Sequence, residues 1–179
     1  MGLNIQRIGF AIVDVSNPFS ATVTIYKKNA ALSGGTGIIE TEENYAYLGA
    51  MKYGLMIFDI TDKNSPLLKS TFLTSTLYSD TNPDPGKYNA RGMAVKNDLV
   101  CLCYDGGGLR IINALDKLTP RQTGRCSNPD LNGKPRAYIK IVLDGSTIHA
   151  AVDFCDMEVI NVSDTANIQL ISWWNTWNC

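Results

Sequence analysis

One short segment recurs four times along the chain, and this recurrence constrains the fold more than any other feature. Each copy holds an apolar run that leads to Asp or Asn and then to a polar turn; the copies are residues 9–17, 54–62, 108–116 and 156–164. Their central residues, Asp14, Asp59, Asn113 and Asn161, are separated by 45, 54 and 48 residues. A period of this size predicts a repeat architecture.

Each copy lies within a longer unit that reads as four short strands. The last unit shows this most clearly, with strands predicted over residues 137–143, 147–152, 156–162 and 168–174. Gly, Asn, Asp and Ser separate the apolar runs, as in hairpins. Since no stretch shows a sustained helical period, we expect an all-β chain.

Stacked four-stranded units predict a β-propeller of about four blades of four antiparallel strands. A single sheet with two apolar faces cannot bury both of them, so sheets stack around an axis. The recurring segment is expected to be the third strand of each blade, counted outward from the axis. Its central Asp or Asn is expected to accept backbone N–H bonds in the turn that follows.

The whole chain, 1–179, is predicted to form one propeller domain, with repeats at approximately 1–28, 36–75, 88–127 and 135–175. The first repeat is short: residues 1–8, 9–15 and 21–26 offer three strands, and the innermost one is missing. Three explanations remain open. The chain forms part of a larger propeller, two or more chains complete a ring together, or a compact four-bladed ring tolerates an incomplete first blade.

The recurring segment resembles the LVIVD-repeat family of bacterial and archaeal β-propellers. Gly54 to Asp62, followed by Pro66, carries the resemblance most closely, and the first and third copies carry it with Pro18 and Pro120. The fourth copy departs from the pattern, because Asp156 replaces the glycine and no proline follows. The resemblance implies the propeller fold and a surface or secreted location, and it supplies no catalytic motif.

Composition excludes several classes of protein. The net charge is −1, and acidic and basic residues are scattered along the sequence. No electrostatic field therefore attracts the chain to nucleic acid or to an anionic membrane. No apolar run approaches the roughly 18 residues of a membrane span, and the first residues lack the pattern of a secretory signal. From the residues alone the compartment is therefore unknown.

The five cysteines give no sign of a metal or redox site. Cys101 and Cys103 lie two apart in a predicted strand, so they share a face and are expected to be small core residues. No CxxC pair occurs among them and Cys126, Cys155 and Cys179. The odd number leaves at least one thiol unpaired within the chain, and Cys179 is the best candidate for a bond between chains. No metal or cofactor is predicted.

Two isolated features have ordinary structural explanations. His149 is the single histidine, and it is expected to pack or to hydrogen-bond on the same side of its strand as Ala151. Gly106, Gly107 and Gly108 lack the Lys and Ser/Thr of a phosphate-binding loop. They are expected to allow positive φ in a hairpin between the second and third strands.

The loops at one end of the predicted propeller carry the candidate ligand-binding residues. Asp105 and Asp153 occupy matching positions at the ends of second strands, and basic residues flank the loops between blades. The expected cluster at the channel mouth is Lys87, Arg91, Lys134, Arg136, Asp105 and Asp153. A solvated rim with ordinary ion pairs is the competing interpretation. The sequence spacing of Asp105, Asp153 and Asp156 does not match that of an EF-hand calcium site.

Three functional hypotheses follow. The first is a non-catalytic scaffold that binds a protein or a ligand. The second is a hydrolase or lyase acting on a carbohydrate, with Asp105 and Asp153 as acid and base roughly 5–10 Å apart and tryptophans for stacking. The third is a protein that completes its ring by association with itself.

Trp173 and Trp174 point to opposite faces of an outer strand. At least one of Trp173, Trp174 and Trp177 is therefore expected to be covered by a partner or by a neighbouring blade. Expected partners are a protein or a second copy, without nucleic acid or membrane.

Overall fold

The computed structural model describes residues 7–33, 35–73, 78, 84–128, 137–153 and 156–174. Within these residues the regular structure is β-strand, apart from one short 3-10 turn at Pro85–Lys87. The all-β prediction is therefore confirmed.

The strands form four antiparallel sheets, one for each predicted repeat. Three have four strands in sequence order, and the first has two. Blade 1 contains β1 (Arg7–Asp14) and β2 (Thr22–Ser33), and blade 2 contains β3 (Ile38–Glu42), β4 (Tyr45–Gly49), β5 (Leu55–Asp59) and β6 (Leu67–Phe72). Blade 3 contains β7 (Gly92–Lys96), β8 (Leu99–Cys103), β9 (Leu109–Asn113) and β10 (Arg121–Cys126). Blade 4 contains β11 (Ala137–Asp144), β12 (Thr147–Asp153), β13 (Asp156–Asn161) and β14 (Gln169–Trp174).

The strand order is that of propeller blades. The first strands β3, β7 and β11 lie side by side, and the recurring segment forms the third strand, β5, β9 and β13. Blade 1 differs from its expectation of three strands. A single strand, β1, spans the expected boundary between residues 8 and 9, and β2 continues past Tyr26 to Ser33 because it keeps pairing with β1. Residues 1–6 lie outside the described part of the chain.

Each copy of the recurring segment ends in the same pair of side-chain-capped turns. Asp59 Oδ1 accepts a bond from Thr61 N at 3.0 Å, and Asp62 Oδ1 accepts one from Asn64 N at 2.9 Å. The same two contacts recur in the other blades, at Asp14 and Asn17, at Asn113 and Asp116, and at Asn161 and Asp164. The predicted turn-anchoring role of the central Asp or Asn is therefore confirmed in all four copies.

A β-bulge also recurs at one position in every blade. The register between third and fourth strands shifts at Ile57/Phe58, at Val159/Ile160 and, in blade 3, opposite Ile111 and Ile112. Blade 1 shifts at Ile12/Val13. Because a bulge bends its strand and increases the local twist, the outer strand of each blade turns away in the same manner.

The core lies between the blades, and each blade has two faces. We call the face toward the preceding blade the N-face and the face toward the following blade the C-face. The C-face of blade 3 presents Cys101, Cys103, Leu109 and Ile111 to Ile148, Ala150 and Ile160 of blade 4. The C-face of blade 2 presents Tyr47, Leu55 and Ile57 to Val100, Leu102 and Ile112 of blade 3. Blade 1 packs Phe10 and Ile12 against Ala46, Leu48, Met56 and Phe58 of blade 2. Cys101 and Cys103 are fully buried, as predicted.

Candidate functional site

A tight turn joins the second and third strands at the predicted mouth of blade 3. Gly107 N donates to Tyr104 O at 2.8 Å and Gly108 N donates to Asp105 O at 3.2 Å, with φ of 51° at Asp105 and 82° at Gly108. Blade 2 repeats this turn, with φ of 50° at Met51 and 75° at Gly54. The glycine-rich stretch therefore serves a hairpin, as its sequence predicts, and Gly108 is the residue that needs positive φ.

In blades 2 and 3 this turn also connects the blade to the following one through main-chain atoms. Ala90 N donates to Met51 O at 3.0 Å, and Tyr138 N donates to Asp105 O at 3.2 Å. Each contact is a single antiparallel bridge between the turn of one blade and the start of the following blade. Asp105 thus connects blades 3 and 4 through its backbone, whatever its side chain does.

The side chain of Asp105 is held by two neighbours. Arg91 Nε lies 3.1 Å from Asp105 Oδ2, and Asn89 Nδ2 donates to the same oxygen at 3.0 Å. Asp105 is buried, with 8% of its surface exposed, whereas the Arg91 side chain is 43% exposed. Exposed Lys87 joins the cluster through its carbonyl oxygen, which accepts from Gly106 N at 3.0 Å. Three of the predicted site residues, Lys87, Arg91 and Asp105, therefore come together at one loop cluster.

Asp153 lies in the neighbouring blade, at the exposed end of β12. Its register partner is Ala137, and the adjacent Tyr138 bridges to Asp105, so the start of β11 runs between the two aspartates. Asp105 is ion-paired and buried, which gives it a structural role different from that of an open acid or base. Ligand binding by this cluster stays a prediction, as does catalysis.

The remaining predicted site residues, Lys134 and Arg136, lie outside the described residues. The bridges make Ala90 equivalent to Tyr138, so Arg91 corresponds in register to Ile139. Among the described residues, no group of three or more His, Cys, Asp or Glu side chains is arranged to hold a metal ion.

Two buried charges, Arg110 and Glu158, were not predicted from the sequence. Both are fully buried, and both occupy the third position of the recurring segment, where the other copies have Ala11 and Met56. A column-by-column comparison of the four copies would have found them, because a charge stands there within an apolar run. Both lie on N-faces, Arg110 against blade 2 and Glu158 against blade 3.

Glu158 belongs to a buried hydrogen-bonded group between blades 3 and 4. The Tyr138 hydroxyl donates to Glu158 Oε2 at 2.5 Å and accepts from Asn128 N at 3.2 Å. Burial and the adjacent carboxylate raise the pKa of the Tyr138 hydroxyl, so it remains a donor throughout the physiological range. Glu158 Oε2 therefore has a hydrogen-bond donor within the protein.

Arg110 is satisfied less fully. Its Nε donates to Gly107 O at 3.0 Å, but within the described part of the chain Nη1 and Nη2 have no acceptor in good hydrogen-bond geometry. The ring of Tyr78 lies beside it, with its centroid 4.9 Å from the Arg110 guanidinium carbon and 3.8 Å from that of Arg125. Burial lowers the pKa of Arg110.

The C-face of blade 4 is uncovered by any described residue. In register it aligns two rows of side chains. One row holds Val142, His149, Val159 and Ser172, and the next holds Lys140, Ala151, Met157 and Trp174. Val142, Met157 and Trp174 are 58%, 42% and 64% exposed, although the equivalent face of blade 3 is buried against blade 4.

His149 is exposed on this face, so the expectation that it packs was wrong, because no described blade covers the face. Trp173 and Trp174 point to opposite faces, as predicted, and Trp177 lies outside the described residues.

The N-face of blade 1 is likewise uncovered within the described part of the chain. Ala11 and Val13 point away from blade 2, and Val13, Val15 and Val23 are exposed. The described residues therefore form an open stack of blades, with an apolar face at each end, and do not close into a four-bladed ring.

Face-to-face stacking of four-stranded antiparallel sheets, with first strands side by side and bridges between successive blades, defines a propeller-type repeat protein. The LVIVD repeat family matches residues 5–25 and 33–74, so this part of the chain carries LVIVD repeats. The described residues of the matched ranges lie in blades 1 and 2. Blades 3 and 4 repeat their turns and bulges, and they repeat the strand order of blade 2. No curated protein matches the sequence. No helix in the described part of the chain is long and apolar enough to cross a membrane.

Proposed function

We propose that this chain is a non-catalytic binding scaffold, and that the C-face of blade 4 binds the N-face of blade 1 from a second copy. One observation carries the proposal: Met157 and Trp174 are exposed, whereas their counterparts in blade 3, Leu109 and Cys126, are buried against blade 4. Contiguous exposed apolar surface of this kind is typical of an interaction site.

The choice of a second copy follows from the interfaces inside the chain. All three interfaces among the described blades join the C-face of one blade to the N-face of the next. The stack leaves one face of each kind uncovered, so a second copy supplies the matching face. The two faces also match in side-chain size, since Met157 and Trp174 would meet the smaller Val13 and Val23. At blade 1, the ring of Phe10 similarly packs in the cluster that contains Ala46.

Such a contact is heterologous, and it produces rings or open filaments according to the rotation between copies. Full burial of a large apolar side chain contributes roughly 1.5–3 kcal/mol. A few such residues, with their neighbours excluding water, are sufficient to form the centre of an interface.

The oligomeric state tests the proposal directly. Sedimentation and mass photometry from nanomolar to micromolar concentration should show the unaltered chain as dimers or larger assemblies. Met157→Lys should be monomeric over the same range, because the charge would be buried in the contact. Leu118→Lys, at an exposed turn residue away from both faces, is the matched control and should assemble normally.

Mixing two variants tests the head-to-tail geometry. Val13→Lys blocks the N-face of blade 1, and Met157→Lys blocks the C-face of blade 4, so each variant alone should be monomeric. Their equimolar mixture should form a one-to-one dimer and nothing larger, because one matched pair of faces remains intact. A stable monomer of the unaltered chain, or a mixture that does not associate, would refute binding between these faces.

A further inference from the structure

We infer that mild acid dissociates the proposed assembly, and that His149 on the C-face of blade 4 is the residue whose protonation does so. The inference rests on the proposed function, because it concerns the same contact between two copies. The neutral imidazole fits an apolar contact, whereas the protonated ring opposes association. The chain has a single histidine, so one side chain accounts for the effect.

His149 occupies a position that is buried in blades 2 and 3. Its register partner on the third strand is Val159, and the residues with the same pairing in the two preceding blades are Tyr47 and Cys101. Tyr47 and Cys101 have none of their surface exposed, because the following blade covers them, whereas His149 is exposed. A second copy that covers the C-face of blade 4 therefore also covers His149.

The surface that His149 would meet on the second copy is apolar. Tyr47, at the same position in blade 2, lies in a cluster with Ile112 of blade 3. Val13 of blade 1 aligns with Ile112, because each directly precedes the central Asp or Asn of its copy of the recurring segment. We therefore expect His149 to lie against Val13 of the second copy.

The chemistry of the imidazole ring makes such a contact depend on pH. An ordinary imidazole changes its charge between about pH 5 and about pH 8. Removal from water disfavours the charged form of the ring. A contact that buries His149 therefore binds the neutral chain more tightly than the protonated chain. The association constant falls with falling pH by at most about tenfold per pH unit, because each contact buries one imidazole.

The charged groups on the C-face itself offset one another around His149. Val142 lies opposite His149 on β11, so Lys140 and Asp144 occupy the two diagonal positions of that strand. Both are exposed, and their opposite charges have opposing effects on a protonated ring. Asp153 lies further away, at the end of β12. The C-face residues of β13 and β14 are uncharged, namely Met157, Val159, Asn161, Ser172 and Trp174.

The face of the second copy does not favour a cation at this position either. The charge of Lys117, from the turn of blade 3, acts on Tyr47, but Pro18 holds that turn position in blade 1. The titratable residues of β1 and β2 are Arg7, Asp14, Tyr26, Lys27 and Lys28. Asp14 is the only acid among them, and its Oδ1 already accepts from Ser16 N at 2.8 Å.

The dimer of Val13→Lys with Met157→Lys isolates a single contact for the measurement. The Val13→Lys copy supplies the C-face with His149, and the Met157→Lys copy supplies the intact N-face. Isothermal titration at constant ionic strength gives the dissociation constant of this pair, and circular dichroism checks that both copies stay folded. The dissociation constant should rise about tenfold between about pH 7.5 and about pH 5.5.

Substitution of His149 in one copy at a time assigns the effect. His149→Tyr in the Val13→Lys copy introduces the residue of blade 2, and the dissociation constant should then change less than about twofold over the same pH range. His149→Lys in that copy should weaken binding at both pH values, because its charge is permanent there. His149→Tyr in the Met157→Lys copy is the matched control. It should keep the full pH dependence, since the C-face of that copy is outside the contact.

The failure of this inference differs from the failure of the proposed function. A pair that does not associate even at about pH 7.5 refutes the contact between copies, and its pH dependence with it. A pair that associates equally at both pH values overturns the inference alone. So does a pair whose pH dependence survives His149→Tyr in the Val13→Lys copy. If that variant does not associate, His149→Gln in the same copy decides by the same criterion, because its side chain is smaller and also uncharged.

Discussion

In each copy of the recurring segment, the side chain of the central Asp or Asn caps the turn that follows it. Asp59 accepts a backbone hydrogen bond from Thr61, and this bond holds the pKa of Asp59 below its ordinary value of 3.8. Asn113 and Asn161 make the same contact without a charge. The central position of the segment therefore requires a side chain of the length of Asp or Asn that carries a hydrogen-bond acceptor. A negative charge is not required.

This comparison predicts different outcomes for two substitutions of Asp59. Asp59→Ala should lower the melting temperature by a few degrees, because Thr61 N loses its acceptor. Asp59→Asn should melt near the unaltered chain at neutral pH. The lowered pKa of Asp59 stabilises the folded chain at pH values above the pKa of Asp59 in the unfolded chain. This stabilisation is lost as the pH falls through the pKa of Asp59 in the folded chain. Asp59→Asn should therefore show a smaller loss of stability between about pH 5 and about pH 2, measured by urea unfolding. Equal melting of the Ala variant and the unaltered chain would contradict the assignment.

At the scale of strands, the first strands of adjacent blades approach each other closely. A Cβ added to Gly92, at the start of β7, would collide with the carbonyl oxygen of Ile139 in β11. The missing side chain therefore sets how closely blades 3 and 4 come together next to the axis. Gly145 has positive φ of 59° but open space around it, and the equivalent Asn97 adopts φ of 51°.

Gly92→Ala should accordingly destabilise the chain by about 1–3 kcal/mol, because main chain has to move to admit the methyl group. Gly145→Asn is the control, and it should lie within about 0.5 kcal/mol of the unaltered chain, since Asn already occupies that conformation in blade 3. Urea unfolding followed by circular dichroism measures both. A Gly92→Ala variant as stable as the control would show that β7 and β11 are not in close contact.

The sequence predicted those elements whose pattern is local. The third strands and their Asx turns follow from apolar runs that end at Asp59 and its counterparts. The length of β2 does not, because Lys27, Lys28 and Asn29 look like the end of a strand and remain paired only through β1. The sequence placed Arg91 and Asp105 in one cluster, but it did not identify them as an ion pair. Residues in different strands meet according to register, and the bulges shift the register within a blade.

At the scale of the molecule, stability comes from successive blades covering each other. Cys101 and Cys103 are buried between blades 3 and 4, and they are free thiols. Burial raises the pKa of Cys101 to about 12 and also raises that of Cys103. Because the thiolate is the reactive form, these side chains are inert while the two blades remain together.

The thiols therefore report on how the stack opens. In a variant with Cys155 and Cys179 replaced by Ser, a thiol reagent at about pH 8 should react slowly with the folded chain. In urea, labelling should rise together with the loss of the circular dichroism signal if the blades unfold as one unit. Labelling at lower urea concentration than the loss of that signal would show instead that blade 4 separates first, as happens in repeat proteins with weak coupling.

The bridges between blades have an evolutionary consequence. Ala90 and Tyr138 occupy one side of equivalent bridges, Met51 and Asp105 the other, and each link is made by backbone N–H and C=O groups. A gene segment that encodes one blade can therefore be duplicated and still attach to its neighbour, whatever side chains it later acquires. Duplicated units are then free to diverge, and a single inherited position can come to hold alanine, methionine, arginine or glutamate in one polypeptide.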